Sequence, residues 1–69
     1  MTPSENLLHQ MTQEVIHHIG SKNFEVALKK LKETRYYMLQ LMDYATTDDA
    51  LIHLKKYEIL LDTLEQKIP

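Results

Sequence analysis

Residues 24–45 read FEVALKKLKETRYYMLQLMDYA, and the spacing of their apolar side chains decides the fold. Phe24, Leu28, Leu31, Arg35, Met38, Met42 and Ala45 alternate steps of four and three, the period of a helical seam that packs on other helices. An arginine holds the centre of that seam. Similar seams flank it: Leu8, Met11, Val15 and His18 on one side, and Ala50, Leu54, Tyr57, Leu61, Leu64 and Ile68 on the other. The pattern predicts an all-α protein, an antiparallel three-helix bundle with heptad-like seams. It forms a single helical domain over residues 1–69, with helices over about 4–19, 24–45 and 48–67. No strand period competes.

The breaks between seams carry turn chemistry. The Ser4 hydroxyl is placed to cap the first helix, and Gly20 offers a left-handed residue to end it. Asn23 is expected to cap the second helix, with Glu25 in its first turn against the positive end of the macrodipole. Thr46-Thr47-Asp48-Asp49 supplies hydroxyls and then carboxylates where the third helix starts. Gly20 is the one glycine, and the prolines are Pro3 and Pro69, so the intervening residues are strong helix formers. Short turns make successive helices antiparallel.

A chain of 69 residues buries only about 60% of its unfolded surface, and with no cysteine it has no disulfide to compensate. Close helix packing or association must supply the stability. The formal net charge of −2 offers no general attraction for nucleic acid or an anionic membrane. Lys29, Lys30, Lys32 and Arg35 cluster in mid-chain, but Glu25 and Glu33 interleave them and Lys29 and Glu33 form an i,i+4 pair. This stretch reads as a solvated face. A helical nucleic-acid-binding regulator using Lys29–Arg35 is the alternative function, and the charge balance speaks against it. The first residues lack a signal peptide's basic start and apolar core, and no apolar run approaches the roughly 18 residues of a membrane span. A soluble, cytoplasmic protein is expected.

Chemistry-bearing residues are sparse. Arg35 at a core position needs a partner, because a buried unpaired guanidinium costs several kcal/mol, roughly, and Glu58 or Glu65 of the third helix stands at its level. Glu14-Val15-Ile16-His17 has the Glu-x-x-His spacing of carboxylate-bridged metal bundles, but His18, not His17, lies on the apolar face. The chain holds no second such motif, so a metal-binding bundle is a distant alternative. No metal ligand, cofactor or catalytic residue is assigned, since no Ser or Thr is set beside a base, and no enzymatic activity is expected.

What remains is surface for partners. On the second helix Val26, Tyr37, Leu41 and Tyr44 form a second stripe beside the seam. On the third, Ile52 and Ile59 lie one heptad apart and nearly opposite the core positions, with Lys55, Lys56 and Gln66 around them. Ile52, Ile59, Lys56, Arg35, Val26, Tyr37 and Tyr44 are the candidate interface, with Lys55 and Gln66 at its polar rim. The expected function is a small non-catalytic interaction module, an adaptor or regulator. It would bind a helical segment of another protein or a second copy of itself as a homodimer.

Asn23-Phe24-Glu25-Val26-Ala27 resembles the opening of the second helix of MIT (microtubule interacting and trafficking) domains, three-helix bundles of similar length. The likeness continues through Tyr37-Met38-Leu39 and Leu54 to Leu64, covering most of the chain. It implies a groove beside the third helix that receives amphipathic helical tails, involving Ile52, Ile59 and Lys56. The C-terminal domain of the iron–sulfur J-type co-chaperones is about equally similar.

Overall fold

The computed structural model describes residues 5–69 and contains three helices, α1 (Glu5–Gly20), α2 (Phe24–Tyr44) and α3 (Asp48–Gln66). The all-α bundle read from the seams is present, and each described boundary falls within one residue of expectation. The cap expected at Ser4 lies outside the described residues.

Helix α2 buries Ala27, Leu31, Thr34, Met38 and Leu41. This line shares only Leu31 and Met38 with the seam read from the sequence. At about 100° per residue it is rotated by about 50° from that seam, toward the stripe of Val26, Tyr37, Leu41 and Tyr44. The reason is geometric. Two helices pack on α2 from two sides, so the core runs between its two apolar stripes and takes in small residues that neither stripe contains. Leu28 consequently lies at the surface, and Phe24, Arg35 and Met42 are half-buried. Helix α1 behaves likewise, burying Leu8, Thr12 and Val15 and leaving Met11 and His18 half-exposed. Only α3 follows its seam as read, with Leu54, Leu61 and Leu64 buried and Ala50, Tyr57 and Ile68 at the margins.

Two threonines complete the α1 and α2 core faces without leaving a polar group unmet. Thr12 Oγ1 donates to the Leu8 carbonyl at 2.8 Å, and Thr34 Oγ1 donates to the Lys30 carbonyl at 2.7 Å. Each hydroxyl is satisfied by its own helix one turn back, so the side chain presents its methyl to the neighbour. Among the described residues no buried side-chain nitrogen or oxygen lacks a partner.

The layout is a central helix with two flanks. Helices α1 and α3 each pack along α2 but meet each other over a short stretch only. The Cα envelope measures 37 × 24 × 14 Å, and the unequal cross-section reflects three helices in a shallow V instead of a closed triangle. The radius of gyration, 12.1 Å, exceeds the about 11 Å of a compact domain of this length.

The α1–α2 turn departs from its expected chemistry. Gly20 is the last residue of α1 and has no positive φ; the left-handed residue is Lys22, at φ 59°. The Asn23 amide donates to the His18 carbonyl at 2.8 Å and the Lys22 amide to the Ile19 carbonyl at 3.0 Å. These bonds make a Schellman motif whose left-handed position is a lysine. Asn23 opens α2 through its backbone carbonyl, which accepts from the Ala27 amide at 3.0 Å, and its side chain makes no capping bond. At the second turn Thr47 caps as expected, its hydroxyl oxygen accepting from the Ala50 amide at 3.2 Å.

This exchange of roles is testable. Nothing lies within 4 Å of a Cβ built on Gly20, so Gly20→Ala should stabilise by about 0.5–1 kcal/mol through lower chain entropy in the unfolded state. Lys22→Gly should relieve a left-handed cost of about 1–2 kcal/mol, partly offset by unfolded-state freedom, while Lys22→Val should destabilise. Urea midpoints measure all three. A loss of stability in Gly20→Ala would return the glycine requirement to position 20.

Candidate protein interface

Because α1 and α3 scarcely touch, their facing sides leave a cleft of about 300 Å³, lined by His9 of α1 and by His53, Lys56, Tyr57 and Leu60 of α3. Two polar contacts cross it. The Tyr57 hydroxyl lies 3.4 Å from His9 Nδ1, and His53 Nε2 lies 3.5 Å from a Glu5 carboxylate oxygen. The His53 ring is tilted against Tyr57 at 6.0 Å between centroids. Both contacts advance by four residues along each helix, so α1 and α3 run parallel, as two helices antiparallel to α2 must. Tyr57 thus works twice, its ring against the core and its hydroxyl in the cleft.

The outer face of α3 adjoins this cleft. Ile52 is 58% exposed and Ile59 67% exposed, far from the core line of Leu54, Leu61 and Leu64. Lys56 is one turn from each and also lines the cleft, so it joins the two surfaces. Leu60, partly exposed, sits at the cleft edge beside Ile59. Leu60 was not singled out from the sequence, although the recurrence of Ile52, Lys56, Ile59, Leu60 and Thr63 at steps of four, three, one and three shows a second helical face. The core seam masked it, being longer and wholly regular.

The other candidate residues lie elsewhere. Val26 and Tyr44 are exposed on α2 and Tyr37 is half-buried against the core, so this stripe is divided by packing and makes no continuous surface. Tyr37 has a polar or ring interaction of its own. Arg35, with its side chain 29% exposed, spans α2 and α3: one guanidinium nitrogen donates to Asp62 Oδ1 at 2.7 Å and to Glu65 Oε2 at 3.0 Å. The expected partner Glu65 is there, but Glu58 is replaced by Asp62. The shift follows from the rotation of α2, which moves Arg35 from the core line to its edge, so its stem packs and its head reaches water. The hydrogen bond to Asp62 chiefly raises the arginine pKa, burial works against it, and the Glu65 hydrogen bond raises it further.

Electrostatics of the basic run also differ from expectation. Lys30 Nζ sits 2.8 Å from Glu14 Oε2 and 3.9 Å from Glu33 Oε2, so Glu33 faces Lys30 and not Lys29. The Glu14 hydrogen bond raises the Lys30 pKa against an opposing effect of burial. Lys30 and Arg35 are therefore neutralised within the bundle, which reduces what the Lys29–Arg35 stretch can offer a phosphate backbone. Glu14, one half of the Glu-x-x-His spacing, is engaged in this ion pair. Among the described residues no three His, Asp or Glu side chains converge on a possible metal position, and no helix is long and apolar enough to cross a membrane. No protein family, curated protein or solved structure matches the chain.

The Arg35 bridge is exposed enough that its contribution should be small. Arg35→Met should change stability by about 1 kcal/mol or less, whereas Leu61→Ala, which empties a fully buried position, should cost about 2–5 kcal/mol. Chemical denaturation of the two variants measures the contrast. A loss of several kcal/mol in Arg35→Met would show that the bridge, and not the apolar line, fixes α3.

Proposed function

We propose that this protein is a non-catalytic helix-binding module, an adaptor or regulator that engages a helical segment of another chain or a second copy of itself. The observation that carries this reading is the open side of the bundle. A chain this small has little apolar surface to spare, yet Ile52 and Ile59 stand on the outer face of α3 beside a cleft that α1 leaves unfilled. Covering each isoleucine is worth about 1.5–3 kcal/mol, and one further helix laid along α3 covers both. That helix would extend the short contact that α1 and α3 make. A cytoplasmic setting fits a chain with no cysteine for an oxidising compartment to join.

The test combines Ile52→Glu with Ile59→Glu. Both side chains are exposed, so the double variant should keep its circular dichroism spectrum and thermal midpoint. It should lose self-association in sedimentation, or capture of a partner in a pull-down that the intact chain performs. A double variant that assembles and captures normally would remove α3's outer face from the interface and turn attention to the exposed apolar residues of α2, Val26, Tyr36, Leu39 and Tyr44 among them.

A further inference from the structure

Lys56 is the cation of the outer strip of α3. It stands four residues after Ile52 and three before Ile59, midway along the face that the two isoleucines mark, and Thr63 extends the same line. A cation at the edge of an apolar line already draws carboxylates within this bundle. Arg35 lies between Leu31 and Met38 on α2 and is met by Asp62 and Glu65 of the helix that packs there. On the outer strip of α3 the cation stands between the apolar residues themselves, with no helix across from it. A cation between two apolar anchors favours an opposing helix that brings an acid to that level and disfavours one that brings a base.

A second copy of the chain fits this strip poorly. When two α3 helices lie antiparallel with Ile52 opposite Ile59 at both ends, Lys55 and Lys56 fall opposite Lys56 and Lys55. When they lie parallel, Lys56 meets its own equivalent. Each arrangement that covers all the isoleucines sets like charges together at its centre, and shifting the register to avoid this uncovers one isoleucine of each chain. Asp49, one turn before Ile52, has the opposite sign, so the favoured acid sits at the middle of the partner helix and not at that end.

Resting on the helix-binding reading above, we infer that the occupant of this strip is an acidic amphipathic helix of a different protein, with two apolar residues one heptad apart and a carboxylate between them facing Lys56. The Leu60 edge of the cleft extends the apolar contact to one side.

The experiment titrates the full chain into two labelled, designed amphipathic peptides, followed by fluorescence anisotropy, with sedimentation of the chain alone in parallel. Both peptides carry leucines at heptad spacing; one has glutamates between them and the other lysines. The acidic peptide should bind about tenfold or more tightly than the basic one, with the difference shrinking at high salt. Lys56→Glu, an exposed change, should reverse the order, and Ile52→Glu with Ile59→Glu should abolish binding of both. Equal binding of the two peptides would overturn the acidic preference and leave helix docking in place. A dimer of the chain that is broken by Ile59→Glu and takes up neither peptide would overturn the inference in favour of a second copy. Failure of both peptides with a monomeric chain would overturn the inference and the helix-binding reading together.

Discussion

One buried line on α2, running through Ala27, Leu31, Thr34, Met38 and Leu41, holds this protein together, because both other helices pack on it and hardly on each other. A short chain has one core to build, and here the middle helix supplies the part shared by both flanks. Its small members matter as much as its large ones. Ala27 and Thr34 carry little bulk, so a neighbouring helix can approach closely, and the Thr34 hydroxyl is consumed by its own backbone. The leucines and the methionine then interdigitate with Leu8 and Val15 from α1 and with Leu54, Leu61 and Leu64 from α3.

From that arrangement the ion pairs follow as edge effects. Each side of α2 carries a cation at its boundary: Lys30 meets Glu14 of α1, and Arg35 meets Asp62 and Glu65 of α3. Their exposure keeps them modest in energy. The missing third edge, between α1 and α3, has only the His9–Tyr57 and Glu5–His53 contacts, and the cleft and the apolar outer face of α3 lie beside it. The proposed role grows from this imbalance: two edges of the V are closed by apolar packing and charge, and one is left open.

The helices were legible because a period of four and three, held over about three turns in α1 and five or more in α2 and α3, points to helix and not strand, and Thr47 was legible because a hydroxyl before two carboxylates is strong start chemistry. The facing of α2 was not. Apolar residues cover so much of that helix that several lines satisfy the heptad rule, and only the presence of two partners selects the one through Ala27 and Thr34. Arg35 shows the consequence: as a seam residue it called for a carboxylate, which it has, but its true place at the boundary brings Asp62 within reach and leaves Glu58 aside. Gly20 misled for a different reason. Glycine is the usual left-handed terminator, but the chain reverses two residues later, where Lys22 takes the strain because the Schellman hydrogen bonds close there. On the surface, Ile52 and Ile59 could be placed outside the core from α3's regular seam alone, whereas the cleft depends on how far α1 and α3 stand apart, a property no single helix encodes.

The dependence of both flanks on α2 is most directly tested by native-state hydrogen exchange followed residue by residue under increasing denaturant. The amides from Leu31 to Leu41 should exchange last, and only through global unfolding, while those of α1 and of α3 should be released earlier through separate openings of each flank. Amides of α1 or α3 that outlast those of α2, or a joint opening of α1 and α3 that leaves α2 exposed first, would contradict a bundle built on its central helix.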